Sequence, residues 1–174
     1  MATRTFEDWE NASTRISHVS NDSITISGLR EEFIYLGYLD VMIDEMCEES
    51  SKDSTKLNML PRITMLSRLW MMHAYEVIRS LDEFDRYRPA NSGGAMANFK
   101  TGRFESLKEK LEKIRIPMVK QKNPRSKGLG SAYFEIKNAG RKNISFVSGG
   151  EEIFREQMAE EVFDVINNYE RNSP

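Results

Sequence analysis

The strongest pattern in the chain is an apolar seam that alternates steps of three and four residues between Ile63 and Phe84. This spacing keeps one face of an α-helix apolar, so it predicts a long helix over residues 55–84 with one buried side. The seam is formed by Ile63, Leu66, Trp70, His73, Val77, Leu81 and Phe84. We expect this helix to be the central element against which the rest of the chain packs.

Four further helices are predicted from the same kind of spacing. They cover residues 5–18, about 28–49, 98–115 and 151–169. Thr5 is a residue type that caps helix starts, and Pro117 is expected to end the fourth helix near residue 116. Between the first two helices, Ile24-Thr25-Ile26 is interpreted as a short extended piece.

Residues 131–148 change to a two-residue period, which is typical of β-strands. Phe134 and Ile136 would share one face, and Ile144 and Phe146 would share another across a turn at 138–141. A lone hairpin is marginally stable in water, so these side chains should pack on a helix. The predicted fold is therefore mainly α: a helical bundle of about five helices with a small C-terminal antiparallel β-hairpin, in one domain over residues 1–174.

Positive charge is concentrated in residues 100–142, which hold 13 Lys and Arg against four Glu, a net charge of +9 in a chain of net charge −2. Such segregation indicates either an anionic partner, protein or nucleic acid, or docking onto acidic helix faces in the same chain or in a second copy. The residues expected to contact the partner are Lys120, Lys122, Arg125, Lys127, Arg141 and Lys142.

Three polar residues of the central helix, Arg68, His73 and Tyr75, form the clearest candidate for chemistry. Histidine transfers protons near neutral pH, and arginine binds phosphate oxygens with a planar fork of donors. Neither role requires a metal ion. On a regular helix Arg68 and His73 point about 140° apart, whereas Arg68 and Tyr75 share a face. Arg68 and His73 would therefore meet through a helix break or across a dimer.

The Arg-x4-His-x-Tyr spacing resembles the signature of HEPN domains, and Tyr75 resembles the variant found in HEPN toxins that are paired with nucleotidyltransferase antitoxins. The resemblance implies a helical bundle, usually dimeric, with metal-independent ribonuclease activity. It implies that Arg68 stabilises charge on the phosphate and that His73 transfers the proton of the attacking 2′-hydroxyl. Tyr75 would be the position that the antitoxin modifies.

A structural interpretation competes with the catalytic one. His73 lies on the apolar seam with Trp70 and Val77, where a histidine is typical of a helix contact with one satisfied ring nitrogen. The paired carboxylates Asp40 and Asp44, one helical turn apart, are interpreted as solvated surface.

Composition and motifs indicate in which cellular compartment the chain is expected and whether it is expected to bind a cofactor. The only cysteine, Cys47, is expected to pack, because one cysteine forms no internal disulfide, and a reducing cytoplasm fits best. The N-terminus lacks the apolar run of a signal peptide, and no apolar stretch reaches membrane-spanning length. No metal-ligand spacing or phosphate-loop motif is present, so we expect no cofactor and no metal.

These patterns favour a non-enzymatic intracellular protein of binding or assembly, which uses the basic loop and hairpin of residues 100–142 against an anionic partner. Self-association, if any, is expected through helix 55–84. The alternative is a HEPN-like metal-independent ribonuclease of a toxin–antitoxin or defence system.

Overall fold

The chain's structure is a computed structural model that describes residues 4–18, 23–52, 58–86, 104–120, 133–136, 144–148 and 151–168. The elements in chain order are α1 (Phe6–Ser13), α2 (Ser23–Lys52), α3 (Leu60–Arg86), α4 (Glu105–Lys120), β1 (Tyr133–Ile136), β2 (Ile144–Ser148), β3 (Glu151–Phe154) and α5 (Arg155–Asn167). A 3₁₀ turn, Thr14–His18, follows α1. These elements confirm the predicted bundle of five helices with an antiparallel hairpin near the C-terminus.

The first helix begins with the predicted cap at Thr5. The Asp8 N–H donates to Oγ1 of Thr5 at 3.3 Å, and the Thr5 N–H donates to Oδ2 of Asp8 at 2.7 Å. This reciprocal pair satisfies two backbone donors that the helix itself cannot use. The bonds from the backbone and side chain of Thr5 hold the pKa of the Asp8 carboxyl below its ordinary value.

The start of α2 and the end of α4 differ from the sequence prediction. Helix α2 already includes Ile24-Thr25-Ile26, against the expectation of an extended piece, and the partly buried Ile26 packs against the core from within the helix. Helix α4 continues through Pro117 to Lys120. Pro117 has no N–H to donate to the carbonyl of Lys113, so the helix continues past it with one bond of its ladder missing.

The predicted hairpin is formed by β1 and β2. They pair antiparallel with Phe134 opposite Phe146 and Ile136 opposite Ile144. Ile144 and Phe146 are buried in the core, and β2 contacts both α4 and α5. The hairpin is thus stabilised by packing on helices, as its length requires.

A third strand corrects the prediction that the last helix starts at about residue 151. Residues 151–154 form β3, which pairs antiparallel with β2 and places Glu152 opposite Val147. The Ser145 hydroxyl donates to Oε1 of Glu152 at 2.6 Å across this pair. Backbone pairing with β2 outweighs the short helical pattern of residues 151–154, because helix propensity is a weak local preference. The last helix therefore begins at Arg155.

One hydrophobic cluster takes buried residues from all five helices and from β2. The predicted seam of α3 faces it, with Ile63, Trp70, Val77 and Leu81 buried. The side chain of Phe84, the last member of the seam, lies outside the described residues. A central helix with an apolar seam therefore organises the core, as the spacing predicts.

A close approach within the core joins α1 to α2. The Trp9 ring lies 5.0 Å from Phe33 of α2 and 5.3 Å from Phe163 of α5, measured between ring centroids. It also covers Gly37, where an added Cβ would lie 2.3 Å from Cγ of Trp9. Only glycine lets the α2 backbone approach the indole this closely.

We expect Gly37→Ala to lower the free energy of unfolding by about 1–3 kcal/mol, because the new methyl group displaces the Trp9 ring. Gly28→Ala is the matched control, because Gly28 lies in the same helix and an added Cβ there would meet no atom within 4 Å. That control should raise stability by about 0.5–1 kcal/mol. Urea unfolding of both variants measures the difference, and equal effects would contradict the close approach.

Candidate functional site

Helix α3 is continuous from Leu60 to Arg86, so it carries the candidate residues Arg68, His73 and Tyr75 in regular helical geometry. Arg68 and His73 therefore point about 140° apart. No break in the helix brings these two side chains together within one chain. The candidate residues consequently meet different neighbours.

His73 faces α2. Its Nδ1 lies 2.9 Å from Oε2 of Glu32, and its ring meets the Tyr35 ring edge-on at 5.1 Å between centroids. The imidazole is half-buried, with 29% of its side chain exposed. A carboxylate on Nδ1 fixes the orientation and tautomer of the ring and leaves Nε2 for other contacts. His73 is therefore a helix contact with one ring nitrogen engaged, in agreement with the structural interpretation.

Tyr75 faces α4 instead. Its ring is 8% exposed and is covered by the guanidinium of Arg115, whose Cζ lies 4.5 Å from the ring centroid. Nη2 of Arg115 also lies 2.9 Å from Oε1 of Glu76. The cation over the aromatic face is a favourable contact that anchors α4 on α3.

Arg68 is exposed on α3, on the same side as Tyr75 but about two turns away. The fold thus distributes the three candidates: His73 towards α2, Tyr75 towards α4, and Arg68 on the exposed surface of α3. The contacts of Glu32 and Tyr35 with His73 were not predictable from sequence, because residues some 40 positions apart give no local pattern.

The described part of the basic segment is paired inside the chain. Four cations of α4 each meet an acid from another element. The pairs are Lys108 with Asp82 at 2.5 Å, Lys110 with Glu161 at 2.7 Å, Lys113 with Glu151 at 3.7 Å, and Arg115 with Glu76 at 2.9 Å. The acids come from α3, α5 and β3, so α4 is docked electrostatically as well as by its apolar face.

The six predicted anion contacts lie at the end of α4 or after it. Lys120 is the final residue of α4, and its side chain lies outside the described residues. Lys122, Arg125, Lys127, Arg141 and Lys142 lie outside the described residues altogether. Their role as anion contacts stays a prediction.

The most unusual polar contact is a buried cluster that no sequence pattern predicts. Arg155, at the start of α5, is fully buried and donates through Nη1 to Asp40 and through Nη2 to Asp44 of α2. Nε of Arg4 donates to the second oxygen of Asp40 at 3.2 Å. The interpretation of Asp40 and Asp44 as solvated surface was therefore wrong. Their spacing of one helical turn matches the fork of a single guanidinium.

The buried positive charge of Arg155 and the buried negative charges of Asp40 and Asp44 stabilise each other. Burial lowers the pKa of the Arg155 guanidinium, but the negative charges of Asp40 and Asp44 and the hydrogen bond that Arg155 donates to Asp40 outweigh it, so the pKa lies above its ordinary value. The side chain of Cys47 is buried on the same helix as the two carboxylates, in agreement with the predicted packing role. The cluster joins elements and exposes no reactive group, so it is structural.

Within the described ranges, no group of three or more His, Cys, Asp or Glu side chains is placed to hold a metal ion. None of the helices described here combines the length and the apolarity that crossing a membrane requires. Comparisons of the chain with protein-family models, with curated proteins and with solved structures find no match. The residues of this chain and their contacts therefore carry the functional inference.

We expect Arg155→Met to lower the free energy of unfolding by about 3–5 kcal/mol, because it removes the cation that two buried carboxylates share, although Asp40 keeps its contact with Arg4. Replacing the group together, as Arg155→Met with Arg4→Met, Asp40→Leu and Asp44→Leu, should recover most of that stability, since none of the four charges of the cluster remains. Urea unfolding measures both.

The matched control is Arg79→Met. Arg79 also holds two carboxylates, Glu76 at 2.9 Å and Glu83 at 2.5 Å, but these three side chains are 39–53% exposed. Its removal should change stability by less than about 1 kcal/mol. A destabilisation by Arg155→Met no larger than that of the control would show that the cluster is not buried.

Proposed function

We propose that this chain is an intracellular, non-enzymatic binding and assembly protein that contacts an anionic partner through basic residues of segment 100–142. The main support is that the segment has two parts with different surroundings. The cations of α4 pair with acidic residues of the same chain, whereas the most basic part, residues 120–142, adjoins both ends of the short strand β1.

The docked part is α4. Its four paired cations all meet acids from outside segment 100–142, contributed by α3, β3 and α5. These contacts hold α4 in a defined place, while Leu107, Leu111 and Ile114 bury its apolar face. The four cations of α4 are thus paired within the chain, and α4 holds the segment in place on the other helices.

The remaining part, residues 120–142, holds seven Lys and Arg against one Glu. Residues 121–132 link α4 to β1, and residues 137–143 link β1 to β2. Strand β1 has four residues, so its two ends lie only about 10 Å apart. The topology therefore attaches both basic stretches to one small, anchored sheet, and such a concentration of charge suits polyanionic surfaces.

We expect retention on an anionic polymer, tested with single-stranded RNA and with polyglutamate, to weaken steeply with salt. For RNA, Lys122→Gln with Arg125→Gln should reduce the slope of log K against log salt by about 0.7 for each phosphate that is no longer neutralised. Replacing Lys120 and Lys127 by Gln as well should abolish most of the retention. Fluorescence anisotropy over a salt series gives the slopes.

The control removes the same amount of charge from α4, as Lys110→Gln with Lys113→Gln. These two cations pair with Glu161 and Glu151 in the folded chain, so their removal should leave the slope nearly unchanged. Equal reductions from both pairs would mean that net charge alone drives retention. If the chain is not retained on either polymer at low salt, the proposed contact with an anionic partner is wrong.

A second function, HEPN-like ribonuclease activity, is favoured by one observation. The Glu32 carboxylate fixes the half-buried His73 ring through Nδ1. This is the arrangement that orients a histidine for proton transfer. Arg68 would have to contribute from a second copy, since α3 separates it from His73 within one chain.

If this second function holds, the purified chain cuts RNA in the presence of a chelator, and His73→Ala abolishes cleavage while the chain stays folded. Glu32→Gln should lower the cleavage rate less, because it weakens the orientation of the ring and leaves the imidazole in place. Gel analysis of RNA together with circular dichroism measures both. Intact RNA after incubation with the unmodified chain rejects the nuclease.

A further inference from the structure

Large apolar side chains are exposed on the first three helices. The described residues include five of them, which we call the Tyr–Met surface: Phe6, Tyr35, Tyr38, Met65 and Met72. Tyr38 and Met65 are the most open, at 51% and 62% exposed. Tyrosine and methionine are enriched where proteins contact partners, so a group of them in solvent indicates a docking surface.

The members of this surface on α1 and α2 lie close to one another and to α3. Phe6 of α1 meets the ring of Tyr38 edge-on at 6.3 Å between centroids. Tyr35 is one turn from Tyr38 on α2, and its ring lies 5.1 Å from the ring of His73 of α3. The surface therefore crosses from α1 over α2 to α3.

The methionines extend this surface along α3, which runs antiparallel to α2. Only residues 53–59 join the end of α2 to the start of α3, and they are too few to return along the length of α2. Because His73 is level with Tyr35, Met65, about two turns before His73, lies level with the part of α2 that follows Tyr38. The partly buried Leu69 lies between Met65 and Met72 on the same face of α3.

Glutamates border the apolar surface on α2. Steps of four and three residues define one stripe of this helix, which consists of Glu31, Tyr35, Tyr38, Met42, Glu45 and Glu49. Every member is exposed except Met42, which is half-buried. The stripe thus has an apolar centre with carboxylates at both ends, and Glu31 and Glu45 are about 21 Å apart along the axis.

The surrounding part of the chain has the same sign of charge. Residues 4–52 hold eleven Asp and Glu against four Lys and Arg. Two arginines of α3, Arg62 and Arg68, are also exposed, so the negative charge is concentrated on the α2 side of the surface. A partner that covers the Tyr–Met surface therefore meets carboxylates along α2, which favours a basic partner and disfavours an acidic one.

We propose that the Tyr–Met surface binds a basic amphipathic helix of another protein. The apolar side of that helix covers Tyr38 and Met65, and Lys or Arg on its edge next to α2 meet Glu31 and Glu45. Methionine side chains adapt to the shape of an incoming helix, and such helices dock through apolar residues spaced by three and four. This partner has the opposite charge to the anionic partner proposed above, so the two contacts are independent.

The probe is a labelled synthetic peptide of about 18 residues, with Leu on one helical side and Lys on the other, which spans about 27 Å as a helix. Fluorescence anisotropy at physiological salt should show saturable binding. Tyr38→Ser with Met65→Ser should raise Kd about tenfold, because the apolar contact is lost. Glu31→Lys with Glu45→Lys should also raise Kd about tenfold, because like charges then face the peptide.

The matched control is Glu160→Lys with Asp164→Lys on α5, which makes the same change in net charge and should leave Kd within about twofold, since distant charges are screened. Circular dichroism checks that each variant is folded. Absence of saturable binding overturns the proposal, as does equal binding of a peptide with the same residues in scrambled order.

A second copy of the chain is the competing occupant of this surface. If light scattering shows a dimer that Tyr38→Ser with Met65→Ser dissociates, the surface belongs to a second copy and the proposal is wrong. Retention of the chain on RNA depends on segment 100–142, so it stays unchanged in that variant whether or not the peptide binds.

Discussion

The buried guanidinium of Arg155 is the contact on which the arrangement of the other elements depends. It joins the start of α5 to the middle of α2 across 115 residues of chain, through Asp40, and across 111 residues, through Asp44. A buried charge without partners is strongly destabilising, so packings that separate α5 from this turn of α2 are excluded. Because Arg155 directly follows β3, the same contact fixes where the sheet ends and the last helix begins.

Charge has a second structural role in α4. The sequence consists of a basic segment, residues 100–142, and an acidic remainder. The cations of α4 pair with acidic residues of that remainder, so part of the opposite charge is neutralised within the chain. Lys108 and Arg115 meet acids of α3, and Arg115 also covers the face of Tyr75. Exposed pairs contribute little each, but several on one helix specify its orientation once the apolar face has buried. The remaining basic residues of this segment, from 120 to 142, lie at the end of α4 and after it in the chain.

Helix α3 explains why the candidate residues separate. It has one buried seam, and because successive residues of a helix point about 100° apart, neighbouring side chains contact different elements. His73 is assigned to α2, where Glu32 and Tyr35 hold it, and Tyr75 is assigned to α4. The same geometry leaves Met65 and Met72 exposed.

The sequence by itself determined the helices, the hairpin and the identity of the central helix. Apolar spacing is a local property, and the burial of Ile63, Trp70 and Val77 follows from it. Only the tertiary structure decided that Asp40 and Asp44 are buried, that residues 151–154 join the sheet, and that Glu32 holds His73. Each of these depends on a residue distant in the chain or on pairing with a neighbouring strand. A local sequence pattern contains no information about such partners. A carboxylate one turn from another is spaced the same way whether it faces water or a buried arginine, so the distinction exists only once the helices have packed.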